Sequence, residues 1–438
     1  MYDITDYGAC GDGKTLNTSF IQKALDECGR TGGTVRIPPG TFLTGTIYLR
    51  SNTELHLEKG AVLLGSPDLA DYNEEDAYEQ NWFSKAEGWS ARHLILAVEV
   101  HDVSLTGEGM IDGNGRAFFT TSPRSPGKIC WRDGTCNARD YEHCGRPGQE
   151  IVFVESTHIR IRDLRLRDMA CWSCYLYGCE NVQIRGLAIE NGICNLNTDG
   201  IDIDSCRNVT VSDCLIRTGD DAIAVRGSPS RLKDKSRICE NITIQNCVFF
   251  VSADGFRVGV GSGTIRNVVV SNIVIEHAGR GIHLQNCYGN VSPGVNISHV
   301  FFSDIVIRDA ATPILLGAGS EKSTAQMKNI VFRDIDITSP GSVIVAGAGG
   351  TRIENVSFFN VFFQVEAPEK EEEESASCFS STGVSAEACF RGANYVPFIA
   401  ENARCILLEN FRFRGAPAEK ALFLRNVTDL KGAPTSMD

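Results

Sequence analysis

Short segments of alternating apolar and polar residues recur along the chain, and each opens with a polar residue followed by asparagine. Because a strand points successive side chains to opposite faces, each segment predicts a short strand with one buried side. Their spacing, from the mid-twenties to the low thirties, is typical of repeats that stack on one another. Clear copies begin at Glu180, Arg207, Glu240, Arg266, Lys328 and Glu354, and weaker ones near Asp102, His158 and Asn296.

This pattern predicts an all-β protein, a single-stranded right-handed parallel β-helix whose coils bury their apolar residues against each other. The asparagine recurs at the same turn of each coil, which predicts a ladder of side-chain amides. An N-terminal capping helix is expected to cover the open end of the stack. Its apolar face would comprise Phe20, Ile21, Ala24, Leu25 and Cys28, with Asn17 or Thr18 as the N-cap and Gly29 at its end.

We interpret the chain as one domain, residues 1–438, with loops where the repeat is interrupted. Residues 1–50 would form the cap and first coil, and residues 396–438 a closing segment. Two insertions and one acidic, irregular loop are predicted at residues 116–150, 228–239 and 367–395.

Composition narrows the range of partners. The net charge of −13 argues against nucleic acid. No stretch approaches the roughly eighteen apolar residues that a membrane span needs. The chain starts without a visible signal peptide, so a cytoplasmic location is expected. The 17 cysteines are interpreted as mostly free, buried thiols, exemplified by Cys206, Cys214 and Cys247.

The candidate chemistry lies in Asn197-Thr198-Asp199-Gly200 and Gly219-Asp220-Asp221. Asp220 follows Asp199 by 21 residues, close to one coil. Since neighbouring strands lie roughly 4.8 Å apart, the three carboxyl groups would be neighbours. Crowded carboxylates favour a protonated acid beside ionised bases, as hydrolysis of a glycosidic bond requires. Two turns built from aspartate and glycine are the alternative.

The chain resembles glycoside hydrolase family 28, the polygalacturonases and their relatives, over nearly its whole length. The resemblance rests on the two aspartate motifs and on Asp3–Ala9, Gly11–Gly13, Gly32-Gly33, Ile37–Phe42, Leu105–Gly109, Ile111–Gly113, and Trp172 with Glu180–Val182. It implies an inverting hydrolase without a metal. Asp220 would be the general acid, and Asp199 and Asp221 would activate the attacking water. An inverting geometry predicts a separation of roughly 6.5–9.5 Å between acid and base.

Two family motifs are altered. Ala253–Arg257 stands where the family has Gly-His-Gly, and Gly281–Asn286 stands where it has Arg-Ile-Lys. Hydrolysis is therefore better supported than specificity for galacturonate. The candidate substrate-binding residues are Asp254, Arg257, His283, Gln285, Arg226, Trp172 and Asn197, and Arg280 could supply a further cation.

Several of these candidates have structural alternatives. The arginines could be ordinary surface residues, His283 a hydrogen-bonded structural residue, and Trp172 a packed turn residue rather than a platform for sugar stacking. No metal or other cofactor is expected. A zinc site formed by Cys130, Cys136, His143 and Cys144 is an alternative, but the spacing of these residues matches no common ligand pattern.

The favoured function is exo-acting hydrolysis of pectin-derived oligosaccharides that contain galacturonate or rhamnose, with residues 116–150 closing one end of the cleft. The alternatives are a β-helix glycosidase acting on a non-pectic oligosaccharide, a polysaccharide lyase or epimerase, and a sugar-binding β-helix without catalysis. The sequence does not specify the oligomeric state.

Overall fold

A computed structural model describes most of the chain. The described residues are 1–85, 87–121, 141–143, 145–193, 195–288, 293–318, 323–347, 353–366 and 396–437, with the backbone alone for 119–121 and 141–143. They form two compact units. The first holds the residues up to Asp221 together with Arg231–Lys233, and the second holds Ala222–Ser230 and those from Asp234 onward. No helix among the described residues is long and apolar enough to cross a membrane.

The first unit contains one α-helix, α1 (Thr18–Thr31), and short parallel strands. The strands are β1 (Tyr2–Asp3), β2 (Asp12–Leu16), β3 (Gly33–Ile37), β4 (Gly40–Thr44), β5 (Ile47–Tyr48), β6 (Thr53–Leu57), β7 (Ala61–Gly65), β8 (Ile95–Val98), β9 (His101–Gly107), β10 (Met110–Asp112), β11 (Phe119–Thr121), β12 (Tyr141–His143), β13 (Ile151–Val154), β14 (Thr157–Arg162), β15 (Arg165–Arg167), β16 (Cys174–Tyr177), β17 (Glu180–Arg185), β18 (Ala188–Glu190), β19 (Ile201–Asp204), β20 (Arg207–Ser212) and β21 (Leu215–Thr218). Short 3-10 helices cover Ile4–Tyr7, Leu69–Asp71 and Gly115–Ala117.

Strands of this unit pair in parallel with their counterparts one coil away, apart from the antiparallel β11–β12 pair. Ile201 of β19 lies opposite Cys174 of β16, and Val209 of β20 lies opposite Val182 of β17. The inward residues of these strands are buried, as the period of two predicts. Each coil thus adds one layer to a continuous apolar core.

The second unit repeats this arrangement with longer strands. They are β22 (Ile223–Gly227), β23 (Cys239–Val251), β24 (Asp254–Gly261), β25 (Thr264–Gln285), β26 (Asn296–Arg308), β27 (Ala310–Ala318), β28 (Met327–Ser339), β29 (Val343–Gly347), β30 (Ile353–Val365), β31 (Phe398–Arg414), β32 (Leu422–Lys431) and β33 (Thr435–Ser436). Short 3-10 helices cover Pro229–Arg231, which runs across the boundary between the units, and Ala418–Lys420. Phe302, Phe332 and Phe358 stack in its core, with ring centroids 5.2 Å and 4.8 Å apart.

The predicted asparagine ladder is present in both units. Asn208 donates to Asn181 in the first unit (3.0 Å), and Asn267 donates to Asn241 in the second (3.1 Å). These four residues have φ between 55° and 59°. Asparagine tolerates this left-handed backbone better than most residues, so the turn and the ladder select the same amino acid.

Helix α1 confirms the predicted cap but ends later than expected. Its buried face contains Ile21, Ala24, Leu25 and Cys28, and its N-cap is Asn17. It continues past Gly29 to Thr31. Arg50 packs against Gly29, and only a residue without a side chain fits there. A Cβ at position 29 would lie 2.7 Å from the Cβ of Arg50. Gly29 therefore serves close packing rather than helix termination.

Two of the three predicted loops lie partly or wholly outside the described residues. Residues 122–140 and 144 of the first insertion lie outside the described residues, as does the whole acidic loop, 367–395. The zinc alternative falls largely on them and on the undescribed side chain of His143. Cys206, Cys214 and Cys247 are buried free thiols, as expected.

Candidate active site

The two aspartate motifs of the first unit are held together by backbone packing between coils. Asp199 leads into β19, and Gly219-Asp220-Asp221 follow β21. The Gly200 N–H donates to the carbonyl of Asp221 (2.9 Å), so the coil of Asp199 lies directly against that of Asp221. Gly219 permits this approach, since a Cβ there would lie 2.2 Å from the Asn195 carbonyl oxygen.

The structure brings Asp199, Asp220 and Asp221 together as predicted. One carboxylate oxygen from each lies within 4.8 Å of those of the other two. Among the described residues, no other three His, Cys, Asp or Glu side chains are grouped closely enough to share a metal ion. Asp199 and Asp221 are buried, whereas Asp220 is partly exposed. Asp220 is therefore the most accessible of the three to a bound molecule.

The nearest oxygens of the three groups thus lie closer together than the roughly 6.5–9.5 Å predicted between the carboxyl groups of an inverting acid and base, and that separation between whole carboxyl groups stays a prediction. The reason lies in the chain geometry. Asp220 and Asp221 are consecutive, and Asp199 lies on the adjacent coil at the distance of neighbouring strands.

Backbone amides fix the carboxyl group of Asp220. The N–H of Asp221 donates to its Oδ1 (3.0 Å), and the N–H of Asn197 donates to its Oδ2 (3.1 Å). The positions of both carboxylate oxygens of Asp220 thus depend on the conformation of two turns. The hydroxyl of Thr198, which is buried, joins these turns by accepting from the Gly219 N–H (3.1 Å) and donating to the Asn195 carbonyl (2.9 Å).

A buried arginine that the sequence analysis missed contacts this site. Arg146 donates to the side chain of Asn197 (2.8 Å) and to the carbonyl of Leu196 (2.7 Å). It lies at the end of the predicted insertion, outside the repeat, so periodicity gave no reason to place it near Asp220. The only available signal was an arginine a few residues before the buried strand β13.

Trp172 packs within an aromatic cluster of the first unit. Its ring lies 6.0 Å from Trp82, 5.4 Å from Trp89 and 5.3 Å from Tyr175, measured between centroids. Only 4% of Trp172 is exposed, which favours the packed-turn alternative over a sugar platform. The Ser173 N–H donates to the Asp199 carbonyl (2.8 Å). The residue that follows Trp172 is therefore hydrogen-bonded to the coil that carries Asp199.

In the second unit, three predicted residues gather around a fourth, Asp254. This fully buried carboxylate bonds to Arg280, to Arg257 (3.0 Å) and to Nδ1 of His283 (2.8 Å). Burial by itself would raise the pKa of Asp254, but the charges of Arg280 and Arg257 outweigh burial and hold that pKa well below its ordinary value. Asp254 therefore orients the two guanidinium groups.

His283 is fully buried, and burial lowers its pKa to about 4 in spite of the neighbouring Asp254. Its position favours the structural alternative. Gln285 is buried too and donates to the Cys287 carbonyl (3.1 Å). Arg257 is 11% exposed at its side chain and lies over the ring of Tyr288, and Arg226 is partly buried.

Comparison with known proteins identifies the family. A sequence model described as Glycosyl hydrolases family 28 matches residues 43–384. A probable polygalacturonase of Vitis vinifera is 30% identical over 300 residues, 65% of this chain and 57% of the relative. An exo-poly-alpha-D-galacturonosidase of Dickeya chrysanthemi is 28% identical over 310 residues, 63% of this chain and 50% of the relative. The chain thus matches about half the length of these relatives.

Among solved structures, an exopolygalacturonase from Thermotoga maritima superposes with a TM-score of 0.68 at 21% identity. The match covers 83% of this chain and 86% of that protein. This likeness confirms the right-handed parallel β-helix, and the family match confirms the resemblance seen in the sequence. The chain belongs to glycosyl hydrolases family 28.

Proposed function

We propose that the protein is a glycoside hydrolase that cleaves pectin-derived oligosaccharides containing galacturonate or rhamnose. The observation that carries this proposal is the close grouping of Asp199, Asp220 and Asp221 in a chain of family 28. The names of the two relatives, one a probable polygalacturonase and one an exo-poly-alpha-D-galacturonosidase, support the substrate class.

In this proposal Asp220 is the general acid. It is the most exposed of the three carboxyl groups, and two backbone amides hold it in one orientation. Asp199 and Asp221 are buried beside it and would hold and deprotonate the attacking water. A positioned acid and base each contribute roughly 10²- to 10⁴-fold to rate. The inverting outcome is proposed from the family resemblance.

Arg257 and Arg280 are proposed to contribute positive charge for a sugar carboxylate. A guanidinium forms paired hydrogen bonds with a planar carboxylate, so two that are oriented by one buried aspartate suit this task. Asp254 and His283 would then support the guanidinium groups rather than contact the sugar, since both are fully buried.

Exo action is a further part of the proposal. The sequence analysis assigned the closed end of the cleft to residues 116–150, and one relative is named an exo-enzyme. Deleting residues 122–140 is expected to convert release from the chain end into internal cleavage, measured as the size distribution of the first products from a hexagalacturonate. Unchanged products would contradict this assignment.

The central experiment is proton NMR of wild type and Asp220→Asn protein with di- and trigalacturonate in the presence of EDTA. We expect wild type to form the β-anomer of galacturonate first, and Asp220→Asn to lose roughly 10²- to 10⁴-fold in kcat. Asp213→Asn is the matched control, because Asp213 belongs to the same unit and faces solvent, where it pairs with Arg185. Its activity should equal that of wild type.

The other outcomes select the alternatives. An unsaturated product would identify a lyase. Activity that disappears with EDTA would favour a lyase or an epimerase. A first product with the α-configuration would establish retention. Turnover restricted to rhamnose-containing or neutral oligosaccharides would move the specificity away from galacturonate. Binding without turnover of any of these substrates would favour the sugar-binding alternative.

A further inference from the structure

Arg146 is a fully buried charged residue in the first unit. Removing a guanidinium from water is costly unless hydrogen bonds compensate for the loss of hydration. Burial accordingly lowers the pKa of Arg146, and the nearby Cys171, Glu87, Asp220 and Asp199 act in the opposite direction. A buried positive charge thus interacts electrostatically with two candidate catalytic carboxylates.

The hydrogen bonds of Arg146 join three separate segments. One terminal nitrogen donates to the carbonyl groups of Ala170 and Leu196, both at 2.7 Å. The other donates to the carbonyl of Glu87 (3.0 Å) and to Oδ1 of Asn197 (2.8 Å). Two of these four bonds end on the turn formed by Leu196 and Asn197. The planar, forked guanidinium suits this task, since it can serve several acceptors from one rigid group.

The turn held by Arg146 is the one that orients Asp220. Asn197 has a φ of 53°, and its N–H donates to Asp220 Oδ2 (3.1 Å). The side-chain oxygen of the same residue accepts from Arg146. Asn197 thus connects the buried guanidinium to the candidate general acid through one residue.

We propose that Arg146 is a positioning residue for the reaction, which acts through Asn197 to hold the carboxyl group of Asp220 in its productive orientation. The inference rests on the proposed function, because it assigns Arg146 a part in the work of Asp220. Asn197 is then a link between Arg146 and Asp220 rather than a residue defined by substrate contact. Displacement of a catalytic group by about 1 Å can lower the rate roughly 10²-fold.

The test compares full-length Arg146→Gln and Arg146→Lys with wild type on the best oligogalacturonate substrate. We expect Arg146→Gln to lower kcat by about 10- to 100-fold and to change KM by less than about threefold. Arg146→Lys should restore part of kcat, since an ammonium keeps the charge and one or two of the bonds. A purely structural role would lower the amount of folded protein without changing kcat per folded molecule.

Arg92→Gln is the matched control. Arg92 is a largely buried arginine of the same unit that donates to the Asn73 carbonyl (3.2 Å), and no described contact joins it to the aspartate turns. Its kcat should remain within about twofold of wild type. In the Asp220→Asn background, Arg146→Gln should cause no further loss, because residues that act as one unit are not additive.

The pH profile supplies a second readout. The ionisable groups that face Arg146 are Glu87, Cys171, Asp199 and Asp220, and Glu150 also senses its charge. Without a nearby cation, carboxyl groups hold their protons more tightly, so both limbs of the profile should move to higher pH in Arg146→Gln. An unchanged profile together with wild-type kcat would overturn the proposal.

Two further experiments test the inference if Arg146→Gln does not fold or if wild type shows no turnover. If Arg146→Gln does not fold, Asn197→Gly keeps a residue that tolerates positive φ while it removes the acceptor of Arg146, and its kcat should fall. A wild-type kcat in that variant would contradict the proposal. If wild type turns over none of the substrates, the proposed function fails, and crystal structures decide this inference. The Asn197 N to Asp220 Oδ2 contact should be lost in Arg146→Gln, whereas an intact contact would refute it.

Discussion

At the scale of single residues, backbone amides from two turns contribute to the orientation of Asp220. Both donors, the N–H groups of Asn197 and Asp221, belong to turns. Any change that moves either turn should therefore change catalysis even when no candidate catalytic residue is altered. The carboxyl groups are specified by the sequence motif, whereas their orientation depends on residues that the motif does not contain.

Thr198 offers a direct test of this dependence. Its buried hydroxyl bonds both Gly219 and Asn195, so Thr198→Val would remove both of these hydrogen bonds from a buried site. We expect a loss of about 1–3 kcal/mol in the free energy of unfolding and a lower kcat, because Gly219 precedes Asp220. Denaturant unfolding and steady-state kinetics would measure these effects.

Thr198→Ser is the control, since it keeps the hydroxyl group and removes only a methyl group. Both stability and kcat of this variant should stay much closer to wild type. Equal behaviour of the valine and serine variants would show that the hydroxyl group does not hold the two turns together.

At the scale of elements, the sequence pattern predicted the strands and turns that recur in every coil. It did not predict the contacts made by segments that interrupt the repeat. Alternation gave the strand faces, and the recurrent asparagine gave the ladder that Asn208 and Asn181 form. The grouping of the three carboxylates followed from the length of one coil. These features depend on local geometry that recurs every coil, so the pattern contains them.

The contacts of the segments that interrupt the repeat do not follow from its period. Arg146 enters the site from the end of an insertion, and the segment that carries Trp82 and Trp89 packs on Trp172. Neither contact has a periodic signal, because each joins segments far apart in the chain. The prediction that Gly29 ends helix α1 is wrong for a related reason, since its close packing depends on Arg50, a residue outside the helix.

The phenylalanine stack tests how the coils of the second unit are held together. Phe332 lies between Phe302 and Phe358 and is fully buried. Phe332→Ala should cost about 3–5 kcal/mol, because the coil-to-coil hydrogen bonds prevent the cavity from collapsing. The midpoint of guanidinium chloride unfolding would measure this cost.

Phe301→Ala is the matched control within the same unit. Phe301 precedes a member of the stack but points outward and is 41% exposed. Its replacement should change stability by less than about 0.5 kcal/mol. Comparable losses in the two variants would show that position in the stack does not determine the cost.

At the scale of the whole molecule, buried ionisable groups set how stability varies with pH. Burial raises the pKa of Glu150, in the first unit, from 4.5 to about 8. Burial also lowers the pKa of His93 to about 4, so this group opposes folding as pH falls from 6.5 toward 4. The low pKa of Asp254 adds stability that is present above its ordinary pKa of 3.8 and lost as pH falls below it.

Glu150 acts in the opposite direction from these groups. Between pH 4.5 and about 8 the folded state keeps the proton of Glu150 while the unfolded state releases it, so stability falls as pH rises through this window. Glu150→Gln removes this dependence and can still accept the hydrogen bond that the Ala170 N–H donates to Glu150 Oε1. The melting temperature of the variant should therefore exceed that of wild type by more at pH 8 than at pH 5, by at least about 2 °C.

Taking the difference between variant and wild type at each pH removes the contributions of His93 and Asp254, which both proteins share. Glu108→Gln serves as the control, because Glu108 is 66% exposed at its side chain and pairs only with the exposed Lys59 in the described part of the chain. Its difference from wild type should be the same at both pH values. A pH-independent difference for Glu150→Gln as well would show that Glu150 does not retain its proton in the folded protein, and that the alkaline loss of stability originates elsewhere.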